Sequence, residues 1–246
     1  ITASVAIFAA FILPSCTVPA TSANEDVACA LKVVALAATE ADVAVNAVAT
    51  ASNTEVGYLE LKLRNASNTN SAAESVTVTI DKGQVGTSTN RGRSVVLAYS
   101  TDMSINIYAD GTAGASTINV STPSVTFPTK SMTFFAKAAK TITAAVATPV
   151  LGVGANAYAI SATAVDANGT AWTGAAYIVA SAAADALVGG SATTPVACSY
   201  DTTDLVHYCP VTAIAGGTAK FKVIDASTVA LATATSNEVT VTVSAA

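Results

Sequence analysis

Period-two alternation of small apolar and hydroxyl-bearing residues runs through most of this 246-residue chain, and it leaves room for little but β-strands. Ser75-Val-Thr-Val-Thr-Ile80 alternates without a break and sends Val76, Val78 and Ile80 to one face. Ser104-Ile-Asn-Ile-Tyr108 and Glu238-Val-Thr-Val-Thr-Val243 repeat the pattern. In Glu55-Val-Gly-Tyr-Leu-Glu-Leu-Lys-Leu63, Leu59, Leu61 and Leu63 make one face and Tyr58, Glu60 and Lys62 the other. Val56 falls out of that phase, so a bulge is expected near Gly57. Valine and threonine suit strands because branching at Cβ fits a pleated surface. Asp81-Lys-Gly83, Asp110-Gly111, Asp166-Ala-Asn-Gly169, Gly189-Gly190 and Gly216-Gly217 supply turns between the runs. Short strands spaced this way predict stacked antiparallel sheets.

Two stretches resist the simple pattern. Val179 to Leu187 carries helix formers but lies between Tyr177-Ile-Val and Gly-Gly, so it reads as a strand end and a loop with one helical turn. Residues 27–48 admit either two strands or a strand and a short helix over 40–48.

The order strand, Gly-rich turn, strand, closing Val/Thr strand occurs twice, over 74–135 and over 168–243. Gly111-Thr-Ala-Gly-Ala-Ser-Thr-Ile118 aligns with Gly216-Gly-Thr-Ala-Lys-Phe-Lys-Val223. Tandem domains over 24–140 and 141–246 follow, joined near 137–143, with residues 1–23 preceding them.

The second half carries a family resemblance in four places. It opens with Thr141-Ile-Thr-Ala-Ala-Val-Ala, followed by Ala159-Ile-Ser-Ala-Thr-Ala-Val-Asp-Ala-Asn-Gly-Thr170. Gly217-Thr-Ala-Lys-Phe-Lys-Val-Ile-Asp225 and a terminal Val-Thr-Val-Thr-Val complete it. These resemble the bacterial immunoglobulin-like domains of invasin-type adhesins, surface-layer proteins and extracellular filaments. The resemblance spans 141–246 and extends more weakly over 50–140. It implies an all-β fold of two tandem immunoglobulin-like β-sandwich domains on the cell surface, and it carries no catalytic residue across.

Composition narrows the function. Charged residues are 11 % of the chain and the formal charge is −5, with eleven scattered Lys and Arg, so no basic patch suits nucleic acid. Four cysteines fall in two local pairs, Cys16 with Cys29 and Cys198 with Cys209. Two disulfides and an oxidising, extracellular compartment are expected. Asn65, Asn119 and Asn168 head glycosylation sequons.

His207 is the single histidine, which leaves zinc without a ligand set and a hydrolase reading dependent on Asp201 or Asp204 and a serine. The plainer expectation for Cys198 to Cys209 is a polar hairpin tip closed by a disulfide. Asp166, Asn168, Asp201 and Asp204 are hard oxygen ligands of the kind calcium prefers, but no EF-hand loop is completed. Asp-Ala-Asn-Gly is a turn signal without any ion. Trp172 reads as core. No metal, cofactor or catalytic group is assigned.

The first thirteen residues contain no charge and end at Pro14. A signal-peptide core would lack its basic flank, and Leu13-Pro-Ser-Cys16 resembles a lipobox that would consume Cys16. A helix of this length reaches about 20 Å, short of a bilayer core, so no membrane span is expected. As a strand it reaches about 40 Å, enough to run along a sandwich. Ile1, Ala3, Val5, Ile7, Ala9, Phe11 and Leu13 then share an apolar face. The sequence leaves insertion into its own domain and donation to a neighbour both open; the connector around Pro14 and Pro19 favours donation. The expected function is a structural subunit of an extracellular filament, a homopolymer of itself held by this N-terminal exchange strand. The alternative is a surface-layer or adhesin module with binding at a loop tip such as Ser199 to Tyr208. A secreted enzyme or carbohydrate-binding domain is the third reading.

Overall fold

A computed structural model describes residues 30–35, 45–64, 74–99, 103–186, 192 and 194–245. The expected exchange strand, the Cys16–Cys29 pair, the Asn65 sequon and the Gly189-Gly190 turn lie outside those residues. The described chain is all β, relieved by two 3-10 turns at Ala183–Asp185 and Val229–Leu231. No described helix is long and apolar enough to cross a membrane. Two compact units result: one runs to Thr133, and the other takes Val48–Thr50 and everything from Phe134.

The first unit contains β1 (Ala30–Ala35), β2 (Val45–Val48), β3 (Glu55–Lys62), β4 (Ser75–Ile80) and β5 (Gln84–Gly86). It continues with β6 (Arg91–Gly92), β7 (Ser94–Ala98), β8 (Met103–Tyr108), β9 (Gly114–Ser121) and most of β10 (Lys130–Phe135). One sheet has the order β1-β3-β8-β5-β6 and the other β2-β10-β9-β4-β7. Residues 30–35 and 45–48 are both strand, in line with the two-strand alternative for that region. Alternation places the core: Leu59, Leu61, Val76, Val78, Ile105, Ile107 and Ile118 are fully buried. Each such side chain contributes about 1.5–3 kcal/mol. The bulge expected near Gly57 is present as a register shift against β8 between Glu55 and Gly57.

The second unit contains β11 (Thr141–Val146), β12 (Val150–Leu151), β13 (Gly154–Val165), β14 (Tyr177–Ala180) and β15 (Val196–Ala197). It closes with β16 (Ser199–Asp201), β17 (Val206–Ala213), β18 (Gly217–Ile224) and β19 (Val239–Val243). The sheets run β11-β13-β17-β16 and β12-β19-β18-β14-β15. In immunoglobulin lettering these are A-B-E-D and A′-G-F-C-C′. The opening strand divides between the sheets: β11 pairs with β13, and β12 pairs parallel to β19. Pro149 stands at the break, where a missing N–H costs no ladder bond. Asn237 ties the two sheets together at this edge. Its amide oxygen accepts from the Ala144 N–H at 2.9 Å and its Nδ2 donates to the Ala144 carbonyl at 3.0 Å. Val239, Val241 and Val243 point inward, as the closing Val/Thr run predicts.

The chain changes sheet once more at Cys198. β15 pairs with β14 in one sheet and β16 pairs with β17 in the other. Cys198 donates its N–H to Ala176 at 2.9 Å on the first side and forms a disulfide with Cys209 on the second. The crosslink therefore pins the crossing point and the start of the β16–β17 hairpin. Closing a loop of 11 residues stabilises by about 3 kcal/mol in the chain-entropy account.

Candidate functional site: a tyrosine-lined groove on the stapled hairpin

A concavity in the second unit sits on the outer face of β13 and β17, and a backbone irregularity creates it. Asn156 lies opposite Val211 and Ile160 opposite Cys209, so β13 carries two more residues than its partner over this interval. Such bulges re-aim side chains. Here the insertion turns Tyr158 outward, leaving it 62 % exposed immediately before the buried Ala159 and Ile160. Asn156 braces the bulge, its Nδ2 donating to the carbonyls of Gly152 (2.8 Å), Gly154 (3.0 Å) and Val211 (3.3 Å). The Thr148 hydroxyl donates to the Tyr158 carbonyl at 2.7 Å and the Ala147 N–H to Ala159 at 3.0 Å, so β13 is held from its other side as well.

The hairpin supplies the opposite wall. Ser199, Tyr200 and Asp201 pair with Tyr208, His207 and Val206. Asp201 organises the turn: its Oδ1 accepts the N–H groups of Thr203 (2.8 Å) and Asp204 (3.1 Å). Those two bonds hold its carboxyl below the usual carboxylate range. Leu205 closes the turn in the left-handed region at φ 56°. The Tyr208 hydroxyl donates to Asp204 Oδ2 at 3.0 Å, and that carboxylate pushes the phenol upward. The rings of Tyr158 and Tyr208 meet edge to face, 5.1 Å apart at 82°. The result is an open groove of about 600 Å³ lined by Tyr158, Tyr208, Asp201, Asp204, Thr148, Ser161, Ala147 and Val206. Two carboxylates line it, and among the described residues no Lys or Arg does.

Beneath the groove, the inward-facing residues of the same hairpin form a separate polar core. His207 is 1 % exposed, which corrects the expectation of a polar tip for this position. It shares the parity of Cys209, and both point inward. Its Nε2 donates to the Gly174 carbonyl at 2.8 Å, while Nδ1 makes no hydrogen bond. The ring lies 5.4 Å from Trp172 and 4.8 Å from Tyr200. Burial pushes the imidazole below its ordinary range, against the pull of the Gly174 and Ala162 carbonyls. A triad with Asp201 or Asp204 fails on this geometry: His207 faces the interior, while the two carboxylates serve the turn and the outer face. Trp172 is core, as the sequence suggests.

The remaining candidates named from the sequence fall elsewhere. Asp166 caps its own turn, its Oδ1 accepting from Asn168 (2.8 Å) and Thr170 (2.9 Å). No group of three potential metal ligands exists among the described residues. Asn119 and Asn168 are exposed, and Asn119 accepts a hydrogen bond from Thr129 at 2.9 Å. Sequence reasoning reaches Ser199 to Tyr208 but misses Tyr158, Asn156 and Thr148. The available signal is Asn156, a lone amide in an otherwise apolar Gly-Ala-Asn-Ala-Tyr-Ala run.

No family model matches the chain, and no curated protein matches it. Among solved structures it is similar to InvD of Yersinia pseudotuberculosis, at 20 % identity and a TM-score of 0.42, over 87 % of this chain and 58 % of that one. It is also similar to invasin, described as a bacterial integrin-binding protein, at 14 % identity and a TM-score of 0.39. That match covers 87 % of this chain and 40 % of invasin. Domains 4 and 5 of the surface-layer protein SbsC match at 15 % identity and a TM-score of 0.34, over 88 % and 98 % of the two chains. The chain thus spans under two thirds of InvD and of invasin.

Proposed function

We propose that this chain is a module of a cell-surface protein, of the adhesin or surface-layer kind, in which two immunoglobulin-like sandwiches are scaffold and the stapled β16–β17 hairpin presents a docking face. The observation that carries this reading is the groove itself. A braced two-residue bulge turns Tyr158 into solvent beside Tyr208, on a hairpin fixed by a disulfide. Exposing a large aromatic ring at a rigidified site is a feature of recognition surfaces. The disulfide itself supports an oxidising, extracellular location. The groove is open along a sheet face, which favours a docking surface over a site that must exclude water to turn over a substrate. Negative-stain microscopy of the purified full chain tests the reading. Discrete particles or a flat lattice are expected, and long filaments would reject it.

One observation favours a second reading, the homopolymeric filament built by an exchanged N-terminal strand. β7 is an edge strand of charge-free sequence, Ser94-Val-Val-Leu-Ala98, with Val96 59 % exposed. A shallow groove of about 380 Å³ runs beside it. An uncharged edge is open to pairing with another chain. Residues 1–13 of a neighbouring copy, with Ile1, Ala3, Val5, Ile7, Ala9, Phe11 and Leu13 on one face, have a matching apolar character. Deleting residues 1–13 would then convert filaments to monomers, and filaments that survive the deletion would reject this route.

A further inference from the structure

We infer that the groove between Tyr158 and Tyr208 receives an arginine side chain presented by a protein partner. This rests on the docking-face reading above and names the chemistry of the partner.

Charge sets the sign. Asp201 and Asp204 both line the groove, no basic residue among those described does, and the chain as a whole carries a formal charge of −5. Asp201 is kept ionised by the two N–H groups of its own turn. Asp204 is exposed and accepts the Tyr208 hydroxyl at Oδ2. Two carboxylates and no described basic residue in the lining make the groove complementary to a cation.

The aromatic pair selects the cation. The Tyr158 and Tyr208 rings meet edge to face, and Tyr158 is 62 % exposed, so ring surface is open to a partner. A guanidinium is planar and weakly hydrated; it stacks on a ring while its N–H fork addresses a carboxylate. An ammonium is a compact, strongly hydrated point charge without a planar fork, so it engages ring and carboxylate together less well. A metal ion is disfavoured because no group of three ligands gathers among the described residues. The form of the site decides between a free ligand and a macromolecule. Small ligands are held in concavities that bury most of their surface. This groove is open along one sheet face, so a side chain projecting from a larger surface suits it. That surface would rest on the rim formed by Thr148, Ser161 and the hairpin turn.

The first unit shows the two kinds of contact on separate arginines, a ring contact at Arg91 and a carboxylate contact at Arg93. In the first unit the Arg91 guanidinium lies 4.4 Å above the Tyr108 ring and bonds Asn53, while Arg93 pairs with Asp110 at 2.7 Å. The groove of the second unit has the ring and the carboxylates without the arginine.

The test uses the labelled full chain, acetyl-arginine amide as probe, and its neutral isostere acetyl-citrulline amide, followed by amide chemical shifts. Saturable movement of the Asp204, Val206 and Tyr208 signals with the arginine probe, and not with the citrulline one, is expected. Tyr158→Ala and Asp204→Asn should each weaken that binding about fivefold, the scale of one exposed cation–π or ion-pair contact. Both residues are exposed, and unchanged Val211 and Phe221 signals would establish that the fold is intact. Equal movement with citrulline, no movement at the groove with arginine, or variants that bind as well as the parent would each overturn the assignment. None of those results touches the microscopy outcome on which the docking-face reading stands.

Discussion

Acidification from pH 7.5 to pH 5 should weaken the second unit through one side chain, His207. The ring is 1 % exposed and burial lowers its affinity for a proton below the ordinary value of 6.5. The unfolded chain regains that ordinary value, so below pH 6.5 the unfolded state binds the extra proton and stability falls with pH. The linkage expression sets an upper bound of about 2 kcal/mol on the loss at pH 5, reached where the folded ring stays neutral, and gives almost none at pH 7.5. The window is clean because the depressed carboxylates act lower down. Asp201, Asp225 and Glu238 are shifted below ordinary values of 3.8, 3.8 and 4.5. Their stabilisation is complete above those values and is lost only as pH falls through the folded ones. For Asp225, burial acts upward but the hydrogen bonds from Thr233 and Ala234 outweigh it. The assay is urea unfolding followed by the fluorescence of Trp172, the chain's single tryptophan, 5.4 Å from the His207 ring. A loss at that bound moves the urea midpoint by about 1 M, and a smaller one moves it in the same direction. In His207→Gln the midpoint should be flat over the same window, whatever its absolute value. A flat parent, or a variant with the parental slope, would refute the buried-neutral assignment.

Three further outcomes follow from the second unit's construction. Replacing Cys198 and Cys209 by alanine should lower stability by about 3 kcal/mol, read from the same urea transition; a midpoint equal to the parent's would show that the crossing point is fixed without the disulfide. Gly174→Ala sets a methyl group against the Trp172 indole and should cost about 1–3 kcal/mol; an unchanged transition would mean that the indole moves freely. Asn237→Ala removes both bonds to the Ala144 backbone and should cost about 2 kcal/mol; amide hydrogen exchange at Ala144 should rise with it, and unaltered protection would contradict the bridging role.

Much of the fold is written locally. Val76, Val78 and Ile80, or Val239, Val241 and Val243, are inward because a two-residue period forces them to one face, and no distant information is needed. The Asp166 turn is equally local, since a carboxylate that accepts bonds from Asn168 and Thr170 supplies its own reason to turn. The groove is not local. Tyr158 faces water because β13 holds two more residues than β17 over one interval, and that count exists only once the strands are paired. Nothing in Gly-Ala-Asn-Ala-Tyr-Ala states which partner it will meet, although Asn156 marks the place. His207 is legible in principle: alternation from the inward Cys209 puts it in the core. The neighbouring Asp201, Thr202, Thr203 and Asp204 hide that signal by making the whole segment read as polar.

The most direct test of a surface module is antibody labelling of intact, unpermeabilised source cells, with and without a brief external protease treatment. Label on intact cells that the protease removes is the predicted result. Label that emerges only after permeabilisation, and that the protease leaves untouched, would contradict it.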